Sequence, residues 1–261
     1  MSNGLEAAHR YAAGGHKNVG GWLTSTAAST LVSLAGEQQR LGLRGGACEI
    51  GVYHGKLFIL LCLLLQADER ALAIDLFGTE DDNPYGMDIR QRFVANLERH
   101  RVDPGHVEIL ASNSMGLEPA RIHEAVGPVR IFSVDGGHSA EETANDLSIA
   151  AGSVIEGGLV ILDDFFNPQW PAVAEGTCRF MAQDRRLEPV AVAGNRFIFS
   201  RGNSEVYRRT LSGIAETVFG HPVVSVPTDT VRTRLKATGL WRWMSHRRTG
   251  EWARRALAWL R

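Results

Sequence analysis

Between residues 46 and 200 the chain alternates short, continuously apolar runs with longer stretches of helical periodicity, and that alternation restricts the fold more than any other feature. The runs are ACEIGV (47–52), ALAID (71–75), HVEIL (106–110), VRIFSVD (129–135), GLVILDD (158–164), LEPVAVA (187–193) and RFIFS (196–200). Helix-length segments separate most of them, at 55–67, 87–100, 117–126, 139–154 and 170–184. A strand that is apolar throughout must be covered on both faces, and successive parallel strands need a long crossover, which helices supply. The expected fold is therefore α/β: a mostly parallel sheet of these seven runs with helices on both faces. Gly194-Asn195 between the last two runs is a hairpin signal, so the terminal strand is expected to run antiparallel.

Residues 22–41 read as a helix that faces substrate or forms a lid, and 203–217 as a further helix. The chain then divides into an N-terminal helical segment (1–44), a core (45–202) and a C-terminal helical extension (203–261) that is basic and rich in tryptophan. That extension holds a marked charge asymmetry. The whole chain has 28 Lys+Arg against 29 Asp+Glu, yet residues 231–261 contain nine basic residues and the single acid Glu251. No nucleic-acid recognition motif accompanies that charge. A solvated helix or dimer packing, and peripheral contact with an anionic membrane, are the readings it leaves open. The longest apolar run, Leu57–Leu65, is about half the ~20 residues a spanning helix needs. The start MSNGLEAAHR lacks a basic-then-apolar leader, and Cys48, Cys62 and Cys178 form no CxxC pair. These features lead us to expect a cytoplasmic protein with buried thiols.

Ligands of open parallel sheets bind at the carboxyl ends of the strands, so the chemistry is sought there. The first run ends in EIGVYHGK, where Gly51 and Gly55 allow a tight turn and close approach of a ligand. The second ends at Asp75, a carboxylate able to accept from both hydroxyls of a ribose. After the third come Asn113 and Ser114, small polar groups suited to the edge of an adenine. The fourth ends SVDGGHS and the fifth LDDFF. Adjacent parallel strands lie about 4.8 Å apart, so Asp135, Asp163 and Asp164 are expected to converge. Carboxylates so close repel unless a cation joins them, and an all-oxygen set favours Mg²⁺. His138 precedes a capping-box helix start, SAEE. An imidazole there, beside a dication, is expected to be neutral and available as a general base.

EIGVYHGK, the acid closing the second strand, VDGGHSAEETANDL and GGLVILDDFF together resemble class I S-adenosylmethionine-dependent methyltransferases over roughly residues 20–200. The similarity is greatest to the metal-dependent O-methyltransferases that modify sugars of natural products such as macrolides, and to their cephalosporin-biosynthesis relatives. The resemblance implies a Rossmann-like sheet and a cofactor site of Glu49, Gly51, Tyr53, Gly55, Asp75, Asn113 and Ser114, completed by Asp135. It also implies a Mg²⁺ site of Asp135, Asp163 and Asp164, with His138 at the base position. Asp163 stands where the sugar enzymes often carry Glu. By the same resemblance the partners are a small-molecule or oligosaccharide acceptor and a second copy in a homodimer.

The implied reaction is in-line transfer of a sulfonium methyl to a hydroxyl. Tyr85, in the acidic loop 77–86, and Trp170 sit where an acceptor would lie. Three alternatives stand beside this reading: a catechol-like aromatic O-methyltransferase, an NAD-dependent oxidoreductase, and a non-catalytic nucleoside-binding module. The absence of G-x-G-x-x-G opposes the second, and the intact acid–histidine set opposes the third.

Overall fold

The computed structural model describes residues 3–78 and 88–227. Tyr85, most of the acidic loop and the basic, Trp-rich tail lie outside those residues. Two helices, α1 (Asn3–Ala13) and α2 (Ser25–Arg40), precede the sheet, and the Thr24 hydroxyl caps α2 by accepting from Ala27 N at 3.1 Å. Then follow β1 (Gly46–Ile50), α3 (Lys56–Leu64), β2 (Ala71–Asp75), α4 (Ile89–Arg99), β3 (Val107–Ala111), α5 (Pro119–Val126), β4 (Val129–Val134), α6 (Ala140–Ser153) and β5 (Val154–Leu162). The chain continues through α7 (Pro171–Gln183), β6 (Glu188–Ala193), β7 (Arg196–Ser200), α8 (Ser204–Thr210), β8 (Ile214–Val218) and β9 (His221–Val226).

The strands form one sheet in the order β3-β2-β1-β4-β5-β7-β6-β9-β8. The first five are parallel, and β7 enters antiparallel beside β5. Strand alternation splits the core between two faces. Ala47, Ala73, Ile131 and Ile161 pack with the α2 and α3 side chains Leu31, Phe58 and Leu61. Their neighbours Cys48, Ile74, Phe132 and Val160 pack with Ile122, Leu147 and Phe180 of α5, α6 and α7. Both faces are covered, as continuous apolar strands require. At the amino end of β4, fully buried Arg130 pairs with Glu69 at 2.9 Å and donates to Gln38 at 2.8 Å.

The structure corrects the sequence reading in three places. The sheet has nine strands and not seven. The stretch 203–217 is helical only to Thr210, after which β8 and β9 form a hairpin that joins the sheet through β6. Cys178 is exposed, while Cys48 is buried, and all three thiols are free. No helix among the described residues is long and apolar enough to cross a membrane.

Candidate active site

Strand register brings the candidate residues to one level. Ile50 of β1 pairs with Ile74 of β2 and Val134 of β4, and Val134 pairs with Leu162 of β5. The next residues, Gly51, Asp75, Asp135 and Asp163, therefore end their strands side by side. The ladder holds to that point: Gly51 N donates to Ile74 O at 2.8 Å, Asp135 N to Ile50 O at 2.9 Å and Asp163 N to Val134 O at 3.0 Å.

They open on a cavity of about 690 Å³, within the ~300–1,000 Å³ usual for small-molecule sites. Every expected site residue that is described lines it, except Gly55. Gly55 instead starts α3 with φ +84°, and a Cβ there would lie 2.9 Å from the Phe93 ring. It is a helix-entry and packing glycine. Gly51 is the position where the chain passes closest to its neighbour. Its φ is +82°, and a Cβ would fall 1.8 Å from the Asp135 carbonyl oxygen, so only glycine fits.

The Gly51–Asp75 side of the cavity is held by the backbone. Asp75 accepts from Tyr53 N at 2.9 Å through Oδ2 and from Phe77 N at 2.7 Å through Oδ1. Those bonds fix the carboxylate and leave lone pairs free for diol hydroxyls. Tyr53 has φ +46°, unusual for an aromatic residue, and its ring stacks on His54 at 3.8 Å. Asn113 Oδ1 accepts from Met115 N at 2.8 Å, closing the turn that presents Asn113 and Ser114.

The acidic side departs from the expected three-carboxylate cluster. Asp135, His138 and Asp164 each place a ligand atom within 4.8 Å of the others. His138 Nε2 lies 3.1 Å from Asp164 Oδ2, and its ring stacks on Trp170 at 4.3 Å. Asp164 is in the left-handed region, φ +61°, and is held there by the side-chain amides of Asn167 (2.9 Å) and Asn195. Asp163 is committed elsewhere. Its Oδ2 accepts from buried Arg196 at 2.6 Å, and Arg196 also donates to Trp22 O at 2.9 Å. Sequence reading missed Arg196 and Asn195. The available signal was an arginine opening an otherwise apolar strand directly after a turn pair.

Two orphaned atoms mark what the cavity lacks. Glu49 Oε2 and Arg196 Nε are buried with no partner. Burial pushes Glu49 up to about 8, with Arg196 drawing it down only in part. Burial, then neighbouring Asp163, raises Asp135 well above the usual carboxylate range. A cation bound beside them would draw the Glu49 and Asp135 carboxyls back down. The donor set of two carboxylates and an imidazole fits a divalent metal, and the Gly51 cradle with the fixed Asp75 fits a nucleoside.

Asp146, enclosed on α6, is likewise pushed by burial up to about 6. Glu49 and Asp146 hold protons in the folded chain that the unfolded chain has released, so stability falls as pH rises. Asp146 acts between its ordinary 3.8 and about 6, and Glu49 between 4.5 and about 8. In chelator and without ligand, unfolding free energy from urea titrations should drop by a few kcal/mol from about pH 5 to about pH 8. Glu49→Gln should flatten the upper half of that fall; a flat or rising profile in the parent chain would contradict these assignments.

A parallel α/β sheet with a cavity across its carboxyl edge, Gly51 at the tight turn and Asp75 at the next strand end, is a Rossmann-like fold with its cavity where such sheets take their ligands. Residues 48–165 match the model of a family described as a methyltransferase domain. Among solved structures, the O-methyltransferase NovP aligns with TM-score 0.58 at 16% identity, over 76% of this chain and 98% of that one. TomG from Streptomyces achromogenes, an O-methyltransferase involved in tomaymycin synthesis solved with S-adenosylmethionine, aligns with TM-score 0.50 at 15% identity, over 77% and 90%. Apo CalS11, a TDP-rhamnose 3'-O-methyltransferase of calicheamicin biosynthesis, gives TM-score 0.50 at 17% identity, over 78% and 97%. At such identities the shared property is the fold. No curated protein matches the chain by sequence.

Proposed function

We propose that the chain is a Mg²⁺-dependent O-methyltransferase that moves the methyl group of S-adenosylmethionine to a hydroxyl of a sugar, glycoside or oligosaccharide. The observation that carries this reading is the meeting of Asp135, His138 and Asp164 in the same cavity as the Gly51–Asp75 cradle. The match to a methyltransferase-domain model weighs against the dehydrogenase alternative.

In this reading Gly51 lets the donor lie against the backbone between β1 and β4, and Asp75 holds its ribose. Glu49, buried with a free oxygen, faces the donor's positive charge. Asp135 and Asp164 would hold the metal, which when bound lowers the pKa of an acceptor hydroxyl by Lewis-acid polarisation. His138, oriented by Asp164 and Trp170, takes the hydroxyl proton as the oxygen attacks the sulfonium methyl. Alignment of the reacting atoms in the cavity supplies much of the remaining acceleration. Asp163 stays with Arg196 and keeps that guanidinium beside the site.

The test is transfer of labelled methyl from S-adenosylmethionine to a panel of sugars and glycosides, with and without chelator. Turnover should vanish in EDTA and return with excess Mg²⁺. Full turnover in EDTA would remove the metal from the mechanism, and failure to bind S-adenosylhomocysteine in calorimetry would remove the reading altogether.

A further inference from the structure

We propose that the acceptor is an uncharged saccharide or glycoside, stacked on an aromatic platform led by Trp22, and that a sugar still carrying a nucleoside diphosphate is a poor acceptor. This rests on the methyltransferase reading above and deepens it.

The first argument is charge. Recognition of a diphosphate needs lysine, arginine, grouped backbone amides or a divalent ion free to meet its oxygens. Among the described residues the cavity is lined by six acids and by two permanent cations, Lys56 and Arg196. Both cations are already engaged. Lys56 Nζ donates to Gly21 O at 2.6 Å; Arg196 donates to Asp163 and to Trp22 O, and its unpartnered Nε is itself buried, out of reach of an incoming phosphate. A divalent ion on Asp135 and Asp164 would cancel those two charges without freeing either cation, and in the proposed reaction its open positions go to the acceptor hydroxyl, not to a diphosphate. An acidic wall suits a cationic sulfonium donor and a neutral acceptor; it repels a second anionic ligand.

The second argument is the platform. Trp22 is 77% exposed, an unusual placement for the largest apolar side chain unless it awaits a partner. Its ring lies 5.7 Å from that of Tyr53, tilted by 32°, and both line the cavity, as does half-exposed Trp170. The loop carrying Trp22 is not loose. Its carbonyls at Gly21 and Trp22 are the acceptors for Lys56 and Arg196, so the same two cations that are denied to a phosphate fix the aromatic loop in place. Aromatic faces bind the C–H surface of a sugar ring without needing charge.

The experiment uses matched pairs. Glucose, galactose, mannose and rhamnose are each presented as the phenyl glycoside and as the nucleoside diphosphate ester. Binding is read by saturation-transfer NMR in the presence of S-adenosylhomocysteine, and transfer by labelled methyl. The glycoside of any accepted sugar should bind about tenfold or more tightly than its nucleotide ester. Equal or tighter binding of the nucleotide esters overturns the proposal. So does the absence of binding by every sugar in both forms while S-adenosylhomocysteine binds normally. If S-adenosylhomocysteine itself fails to bind in calorimetry, the methyltransferase reading of the cavity has failed first, and the proposal falls with it. For the platform, Trp22→Ala should raise acceptor KM about tenfold with kcat and S-adenosylhomocysteine affinity little altered, and Trp22→Phe should recover most of the loss. Unchanged KM in Trp22→Ala overturns the stacking role.

Discussion

A His138→Ala variant is expected to lose methyl transfer by about 10²–10⁴-fold, the usual cost of removing a general base, while binding S-adenosylhomocysteine as the parent does. His138 sits just before α6, whose Ser139–Glu142 capping box fixes the helix start. Its Nε2 lies 3.1 Å from Asp164 Oδ2, and its ring stacks on Trp170 at 4.3 Å. The imidazole is thus held from two sides. Since His138 also belongs to the group able to hold an ion, the variant separates two roles. A base leaves metal affinity nearly intact when removed, because Asp135 and Asp164 remain. A ligand takes metal affinity with it. Mn²⁺ binding followed by electron paramagnetic resonance, alongside turnover, decides between them, and undiminished turnover would end the base assignment.

The parts of this protein legible in its sequence are those set by local pattern. Parallel strands buried on both faces must be continuously apolar, so β1, β2, β4, β5 and β7 announce themselves, and the residues at their carboxyl ends follow. The Ser139 capping box was equally readable, because its bonds join residues three apart. The β8–β9 hairpin was not. Its outer strand, IAETV, is exposed along most of its length and continues the helical spacing of α8, so only pairing through β9 to β6 makes it a strand. The commitment of Asp163 to Arg196 spans 33 residues of sequence and depends on β7 lying antiparallel beside β5. Spacing alone places Asp163 at the strand end but says nothing of a counter-charge arriving from a later strand. The same holds for Gly55, whose neighbour Phe93 belongs to α4.

Arg196→Met should destabilise the fold by about 3–5 kcal/mol, the range for removing one member of a buried ion pair. Arg196 and Asp163 are 2% and 5% exposed, and the bond between them is 2.6 Å. Without the guanidinium, Asp163 keeps only the Asn195 amide at 3.2 Å and the amide N–H of Asp164 at 3.0 Å, neither carrying charge. Glu49 and Asp135 also lose the one positive group that draws their carboxyls downward. Trp22 O loses its donor at the same time, so the aromatic loop loosens and acceptor KM should rise beyond what stability alone explains. The double variant Arg196→Met with Asp163→Asn removes both charges and should recover much of the lost stability in urea titrations, since the cost lies in the abandoned carboxylate more than in the missing bond. It should not recover acceptor KM, because the Trp22 anchor is still gone. A single variant as stable as the parent would mean that Asp163 never depended on Arg196 for its counter-charge. The third carboxylate would then be available to the metal, and the cluster would return to the arrangement its spacing in the chain first suggests.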